Sequence, residues 1–211
     1  MVIEESINAI NSTGEPILKR YPLRENEPDS FGAICGGEVT VLIEPQKLAP
    51  RLILVGAGHC SQAIASLAHG CGFHVTVIDD RAELLSDQYY SNAENLISNL
   101  SAQEVFKKES WQPSDSVVIV SRNYMIDKEA LRVLLPQHVI GYIGMIGSNR
   151  KVKRVFEELV TEGTNPADLE RIYAPIGLDI CADSPAEIAV SVILSLIHIS
   201  EPTRPRLIAY D

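Results

Sequence analysis

The sequence predicts an α/β protein: a Rossmann-like, doubly wound parallel sheet in strand order 3-2-1-4-5, preceded by a small partial α+β segment. Three observations carry this. From Arg51 onward, short apolar runs alternate with amphipathic segments, as strands buried on both faces alternate with helices. The first of these runs leads into Gly56-Ala57-Gly58 and then a helical pattern. The 211 residues, 45% of them hydrophobic and 22% charged, suffice for one large domain, or one domain and part of another.

The elements follow from the pattern in order. Val2 to Asn11 has helical spacing at Ile3, Ile7 and Ile10 and stops at Gly14; Pro16 to Tyr21 reads as a short strand. Arg24 to Ser30 is a polar turn, and Glu38 to Glu44 alternates as a half-buried strand does. Residues 1–46 are thus a partial domain, too small to build a core alone, and 47–50 are a linker. In the main domain, 51–193, Leu52 to Val55 is the first strand, and its helix turns Ala63, Ile64, Leu67 and Ala68 to the core. Phe73 to Ile78 is the second strand. A weaker one lies near Leu96-Ile97, followed by a helix over Ala102 to Lys108. Ser116 to Val120 and Val139 to Ile146 are strands four and five, separated by a helix from Ile126 to Leu135. Arg150 to Val160 is a helix burying Val152, Val155, Phe156, Leu159 and Val160. A short helix over Pro166 to Ile172, a loop over Ala174 to Asp183 and a last helix from Pro185 complete the domain.

Charge narrows the function. Lys and Arg number 18 against 28 Asp and Glu, a net −10, with a mean hydropathy of +0.06. So acidic a chain lacks the field that non-specific nucleic-acid binding needs, and an anionic ligand must be held by a local basic cluster. Cys35, Cys60, Cys71 and Cys181 are scattered without zinc spacing, which suggests no disulfide framework or metal site and a reducing, cytoplasmic setting. Met1 precedes an acidic helical pattern, so no signal peptide is expected. The apolar stretch 186–199 contains Glu187 and His198 and falls short of the roughly 20 residues that cross a bilayer, so no membrane association is expected.

Four segments have the makings of a binding site. Gly56-x-Gly58-x-x-Ser61, after a strand and opening a helix, allows backbone N–H groups to approach a phosphate, and His59 could donate there or merely cap the turn. Asp79 and Asp80 end the second strand, where a carboxylate can accept from ribose hydroxyls. Ser121 and Arg122 follow strand four at the topological switch point; the plain alternative for Arg122 is a surface arginine. Gly144, Gly147, Ser148, Arg150 and Lys151 form a turn and helix start where cations sit against the helix dipole, an arrangement that an anion would relieve. The competing reading there pairs Arg150 with a carboxylate and leaves Lys153 and Arg154 solvated. The glycine turn and this second turn are expected to hold one ligand jointly. Asp179 is a further candidate. Cys35 is either a thiolate on a flexible turn or a small buried apolar group. Ser184, Pro185 and Glu187 have the positions of a helix cap and need no function. No catalytic nucleophile or base is nominated, and no metal ligand set.

Several motifs together resemble the XdhC/CoxI family: Leu54-Val55-Gly56-Ala57-Gly58-His59, Val77-Ile78-Asp79-Asp80-Arg81, Gly141 to Ser148 with Arg150-Lys151, and Pro175-Ile176-Gly177-Leu178-Asp179 with Ser184 to Ala189. The match covers about residues 51–193. Cys35-Gly36-Gly37-Glu38 and Val41 to Pro45 resemble the end of that family's N-terminal domain. The resemblance implies an accessory factor and chaperone of xanthine dehydrogenase and related molybdenum hydroxylases. It would bind the molybdenum cofactor (molybdopterin), protect it during sulfuration by a cysteine desulfurase, and deliver it to the apo-hydroxylase; a homodimer is left open. Asn123-Tyr124 departs from the histidine that follows strand four in many relatives. Val2 to Glu5 resembles the middle of the N-terminal domain, so Met1 is expected to be an internal start that leaves strands unpaired. Residues 194–211 resemble a translated sequencing adapter and are expected to be foreign. The alternatives are an NAD(P)-dependent oxidoreductase, for which Asp79-Asp80 would favour NAD, and a fragment without a ligand.

Overall fold

The computed structural model describes residues 2–11, 16–23, 36–45, 49–98 and 101–200. They belong to two compact units, Met1–Leu48 and Ala49–Asp211. The polar turn expected over 24–30, Cys35 and residues 201–211 lie outside the described residues.

In the first unit, helix α1 (Val2–Asn11) accompanies an antiparallel pair, β1 (Ile17–Pro22) and β2 (Glu38–Ile43), in register from Ile17 opposite Ile43 to Pro22 opposite Glu38. Ala9, Tyr21 and Ile43 are buried, and Glu5 joins helix to hairpin by accepting from Tyr21 Oη and pairing with Lys19. The helix forms where its apolar spacing predicts, yet Ile3, Ile7 and Ile10 all face outward. The side of α1 that is buried carries Ala9, and Glu5 contacts the hairpin.

The second unit is a six-stranded sheet in which every neighbouring pair is parallel. Its strands are β3 (Arg51–Val55), β4 (His74–Ile78), β5 (Asn95–Ile97), β6 (Ser116–Ile119), β7 (Tyr142–Met145) and β8 (Ile172–Tyr173), ordered β5-β4-β3-β6-β7-β8. The expected 3-2-1-4-5 order is present, with a sixth strand beyond it. Alternate residues of each strand feed two cores. Ile53, Val55, Val117, Ile119, Ile143 and Met145 meet α4 (Ala102–Phe106), α5 (Tyr124–Leu134) and α6 (Asn149–Thr161). Leu52, Leu54, Val75, Val77, Val118 and Tyr142 meet α2 (His59–Gly70), Tyr90 of the short α3 (Asp87–Tyr90) and α8 (Pro185–Ser200). Full burial of each large apolar side chain contributes roughly 1.5–3 kcal/mol, so both layers are needed.

Several sequence expectations are corrected. Helix α7 is only Pro166–Leu169; Ile172, expected as the helix end, and Tyr173, between the expected helix and loop, pair with Ile143 and Gly144. Two residues carry no readable alternation, so periodicity could not reveal β8. Strand β7 is shorter than expected. On α2, Ala65 turns inward and Leu67 is 40% exposed; on α6, Val160 is exposed and Phe156 only partly buried. Helix α8 is capped as expected: Ser184 Oγ accepts from Glu187 N, and Glu187 Oε2 accepts from Ser184 N at 2.9 Å. Among the described residues, no helix is long and apolar enough to cross a membrane.

Candidate functional site

Between β3 and β6 the chain's winding reverses, and the carboxyl ends of β3, β4 and β6 open there into a crevice of about 310 Å³. Val55, Ile78, Ala102, Met125 and Ile126 supply its apolar surface; Ser101, Gln103 and Glu129 add polar groups. Five residues expected from sequence line it: Gly56, Asp79, Asp80, Ser121 and Arg122.

Gly56 is fixed by backbone geometry. Its φ is +113°, and a Cβ there would lie 2.6 Å from Val120 O and 2.9 Å from Ser121 Cα. The turn after β3 can therefore lie against the end of β6 only with glycine. Gly58 has an ordinary extended backbone, caps α2 without a side chain, and faces open space. His59, the first residue of α2, is exposed beside it. Ser61, in place of a third glycine, is fully buried near Tyr90 and does not line the crevice. Burial pushes the Tyr90 phenol up to about 12.

Asp79 is committed inward. Its Oδ2 accepts from Ala57 N at 2.6 Å and Arg81 Nη2 at 2.8 Å, and Oδ1 accepts from Arg81 N and Nε. Burial opposes ionisation, but these donors outweigh it and hold the carboxyl at about 2. Asp80, the next residue, points outward and meets Arg122, whose Nη2 donates to Asp80 Oδ2 at 3.1 Å.

Ser121 lines the crevice, but its hydroxyl is already engaged. Its Oγ lies 2.5 Å from Asp127 Oδ1 and accepts from Asn123 N at 3.1 Å. Asp127, near the start of α5, is fully buried and also forms an ion pair with Lys151. Burial raises the Asp127 carboxyl, with Lys151 and Ser121 opposing that rise. Asn123 caps α5 by accepting from Met125 N, and Tyr124 lies under the Arg154 guanidinium, 4.2 Å from the ring centre.

The second turn is placed differently from the sequence expectation. Gly144 sits inside β7, where a Cβ would displace the Ile176 side chain, so packing accounts for the glycine. Gly147 and Ser148 form the turn, with Ser148 Oγ accepting from Lys151 N. Lys151 is drawn inward to Asp127 and to the Ile146 carbonyl; Lys153 pairs with Glu157, and Arg154 with Glu158 and Tyr124. Of these cations only Arg150, exposed, has no partner among the described residues. None of this turn's residues lines the crevice. Asp179 is exposed, and its Oδ1 accepts from Cys181 N at 3.5 Å. Cys35 lies outside the described residues.

Sequence reasoning missed Asp127, because an acid near a helix start is ordinary; only its place six residues after Ser121, facing a lysine-bearing turn, distinguishes it. It also missed Arg81 as the partner of Asp79, though the two are adjacent but one.

Fold and crevice together define a Rossmann-like domain with its opening where such sheets hold ligands. Residues 52–195 match the family model of the XdhC Rossmann domain, and the chain belongs to that family. Among curated relatives, it is 33% identical over 198 residues to the uncharacterized protein YqeB of Escherichia coli (strain K12), covering 94% of this chain and 36% of that one. It is 35% identical over 156 residues to a probable xanthine dehydrogenase subunit of Bacillus subtilis (strain 168), covering 74% and 44%. The chain thus spans less than half the length of either relative. A solved xanthine dehydrogenase structure from Bacillus halodurans superposes with a TM-score of 0.66 at 21% identity, over 98% of this chain and 66% of the other, and shares its fold.

Proposed function

We propose that this chain binds the molybdenum cofactor, a phosphate-bearing pterin, as cargo in the crevice above β3 and β6. In this reading it is an accessory factor that supports sulfuration of the cofactor by a cysteine desulfurase and its insertion into an apo-xanthine dehydrogenase or related hydroxylase.

The observation that carries the reading is the inward commitment of Asp79. In a dinucleotide-dependent oxidoreductase the carboxylate at this strand end accepts from ribose hydroxyls. Here both of its oxygens already accept from Ala57 and Arg81. A volume of about 310 Å³ is at the low end for ligand sites and suits one ring system, with a phosphate outside it near Gly58. Membership of the XdhC family supports the same reading. A cytoplasmic setting belongs to it, supported by the free thiols of Cys60, Cys71 and Cys181. The glycine turn at Gly56 favours a second reading, an NAD(P)-binding oxidoreductase.

Titration with molybdopterin and with NADH, read by ligand fluorescence, separates the two. Saturable molybdopterin binding, with the loaded protein activating an apo-hydroxylase, is the expected result. Saturable NADH binding with hydride transfer, or no binding of either compound, overturns the proposal.

A further inference from the structure

Arg122 and Asp80 stand on the turns after β6 and β4, on either side of β3 and its glycine turn. The guanidinium reaches across the crevice mouth: Nη2 donates to Asp80 Oδ2 at 3.1 Å and lies 3.4 Å from Oδ1, joining residues 42 apart in the chain. Both side chains are more than half exposed, at 54% and 62%.

The surroundings distinguish this pair from an ordinary surface contact. Arg122 is the one cation among the described lining residues, which also include Asp79, Asp80 and Glu129. The two other carboxylates have their own partners: Arg81 holds Asp79, and Glu129 accepts from Arg132 Nη1 through both oxygens at 2.8 Å. Arg81 Nε lies 3.9 Å from Asp80 Oδ1 and remains with Asp79. Any anion entering the crevice thus finds a single lining cation, and Asp80 already occupies it.

We propose that Asp80 is an internal substitute for a ligand anion: it holds Arg122 across the crevice until an anionic group of the ligand displaces it. Arg122 is then the contact that selects an anionic ligand, and Asp80 lowers the affinity. This rests on the reading that the crevice takes a phosphate-bearing cofactor. An exposed pair of this kind is weak, whereas a phosphate offers a guanidinium more charge and two acceptors in matching geometry. Exchange of one acceptor for the other is therefore favourable. The sign of the Asp80 effect opposes that of a ribose-binding acid, whose loss would weaken binding.

The test uses inorganic pyrophosphate as probe, with binding followed through the side-chain Nε–Hε NMR signal of Arg122 and, for variants lacking it, through backbone amides of the glycine turn. Asp80→Asn is expected to bind pyrophosphate at least threefold more tightly than the unaltered chain. Arg122→Ala should bind at least tenfold more weakly, and the double variant should match Arg122→Ala. An Asp80→Asn variant that binds no more tightly, or a double variant that keeps the gain, overturns the inference. Molybdopterin titration of the same proteins is scored separately. If pyrophosphate behaves as expected and molybdopterin does not bind, the cargo reading fails and the role of Asp80 stands. If molybdopterin binds while Asp80→Asn leaves pyrophosphate affinity unchanged, the role of Asp80 alone fails.

Discussion

Asp79 Oδ2 accepts the Ala57 N–H at 2.6 Å, tying the end of β4 to the glycine turn 22 residues earlier. The folded carboxyl sits at about 2 against an ordinary 3.8, so it binds its proton less tightly than the unfolded chain does. The stabilisation is fully present above the unfolded value and is lost as pH falls towards 2. At about 1.4 kcal/mol per pK unit it amounts to about 2 kcal/mol. Asp79→Asn should lose that much in urea unfolding at pH 7 and show a flatter profile between pH 4 and 2. A profile parallel to that of the unaltered protein would assign the titration to another group.

Lys151 and Arg150 are neighbours with opposite roles. Lys151→Met leaves the fully buried Asp127 without its cation and should cost about 3 kcal/mol in denaturant unfolding at pH 7. Because burial raises the folded Asp127 carboxyl, that loss should shrink as pH falls and Asp127 takes up a proton. Arg150→Ala should change stability by less than about 0.5 kcal/mol.

The two glycines of the first turn should also separate. Gly56→Ala forces a Cβ against Val120 O at a positive φ and should cost about 2–3 kcal/mol by thermal or urea unfolding. Gly58→Ala meets open space with an ordinary backbone and should stay within about 0.5 kcal/mol, while lowering molybdopterin affinity if the phosphate lies against that turn.

Ser184→Ala removes the hydroxyl that accepts from Glu187 N and should cost about 1 kcal/mol, a melting point about 3 °C lower. An unchanged melting point would show that the Glu187 carboxylate caps α8 alone.

Much of the architecture was legible because it is written in local pattern. Leu52 to Val55 is apolar without a break, and Gly56-Ala57-Gly58 follows at once, so strand, turn and helix could be read together. The order of the first five strands followed from general rules of winding. Strand β8 was not legible, since Ile172 and Tyr173 become a strand only through pairing with β7. In the candidate site, the residue types at Asp79, Asp80 and Arg122 were readable but their partners were not. Nothing in Asp79-Asp80-Arg81 tells which aspartate turns inward; that depends on Ala57 N lying within reach after folding. Likewise the cations after Ser148 suggested an anion, whereas Asp127, distant in sequence, meets Lys151 from the neighbouring helix. Charge that looks unsatisfied in one segment is often answered by another.

Tyr142 gives the domain a further property. Its ring stacks on Tyr173 at 4.7 Å between centres, and its hydroxyl lies 3.1 Å from Ser195 Oγ, so one side chain of β7 touches both the edge strand and the last helix. Ile176 fills the space that Gly144 leaves open on the same strand. The last helix is thereby tied to β7, the strand beside the β8 edge. Its amides near Ser195 and those of β7 should exchange with solvent deuterium at a common rate, as one cooperative block rather than a core with a loose appendage.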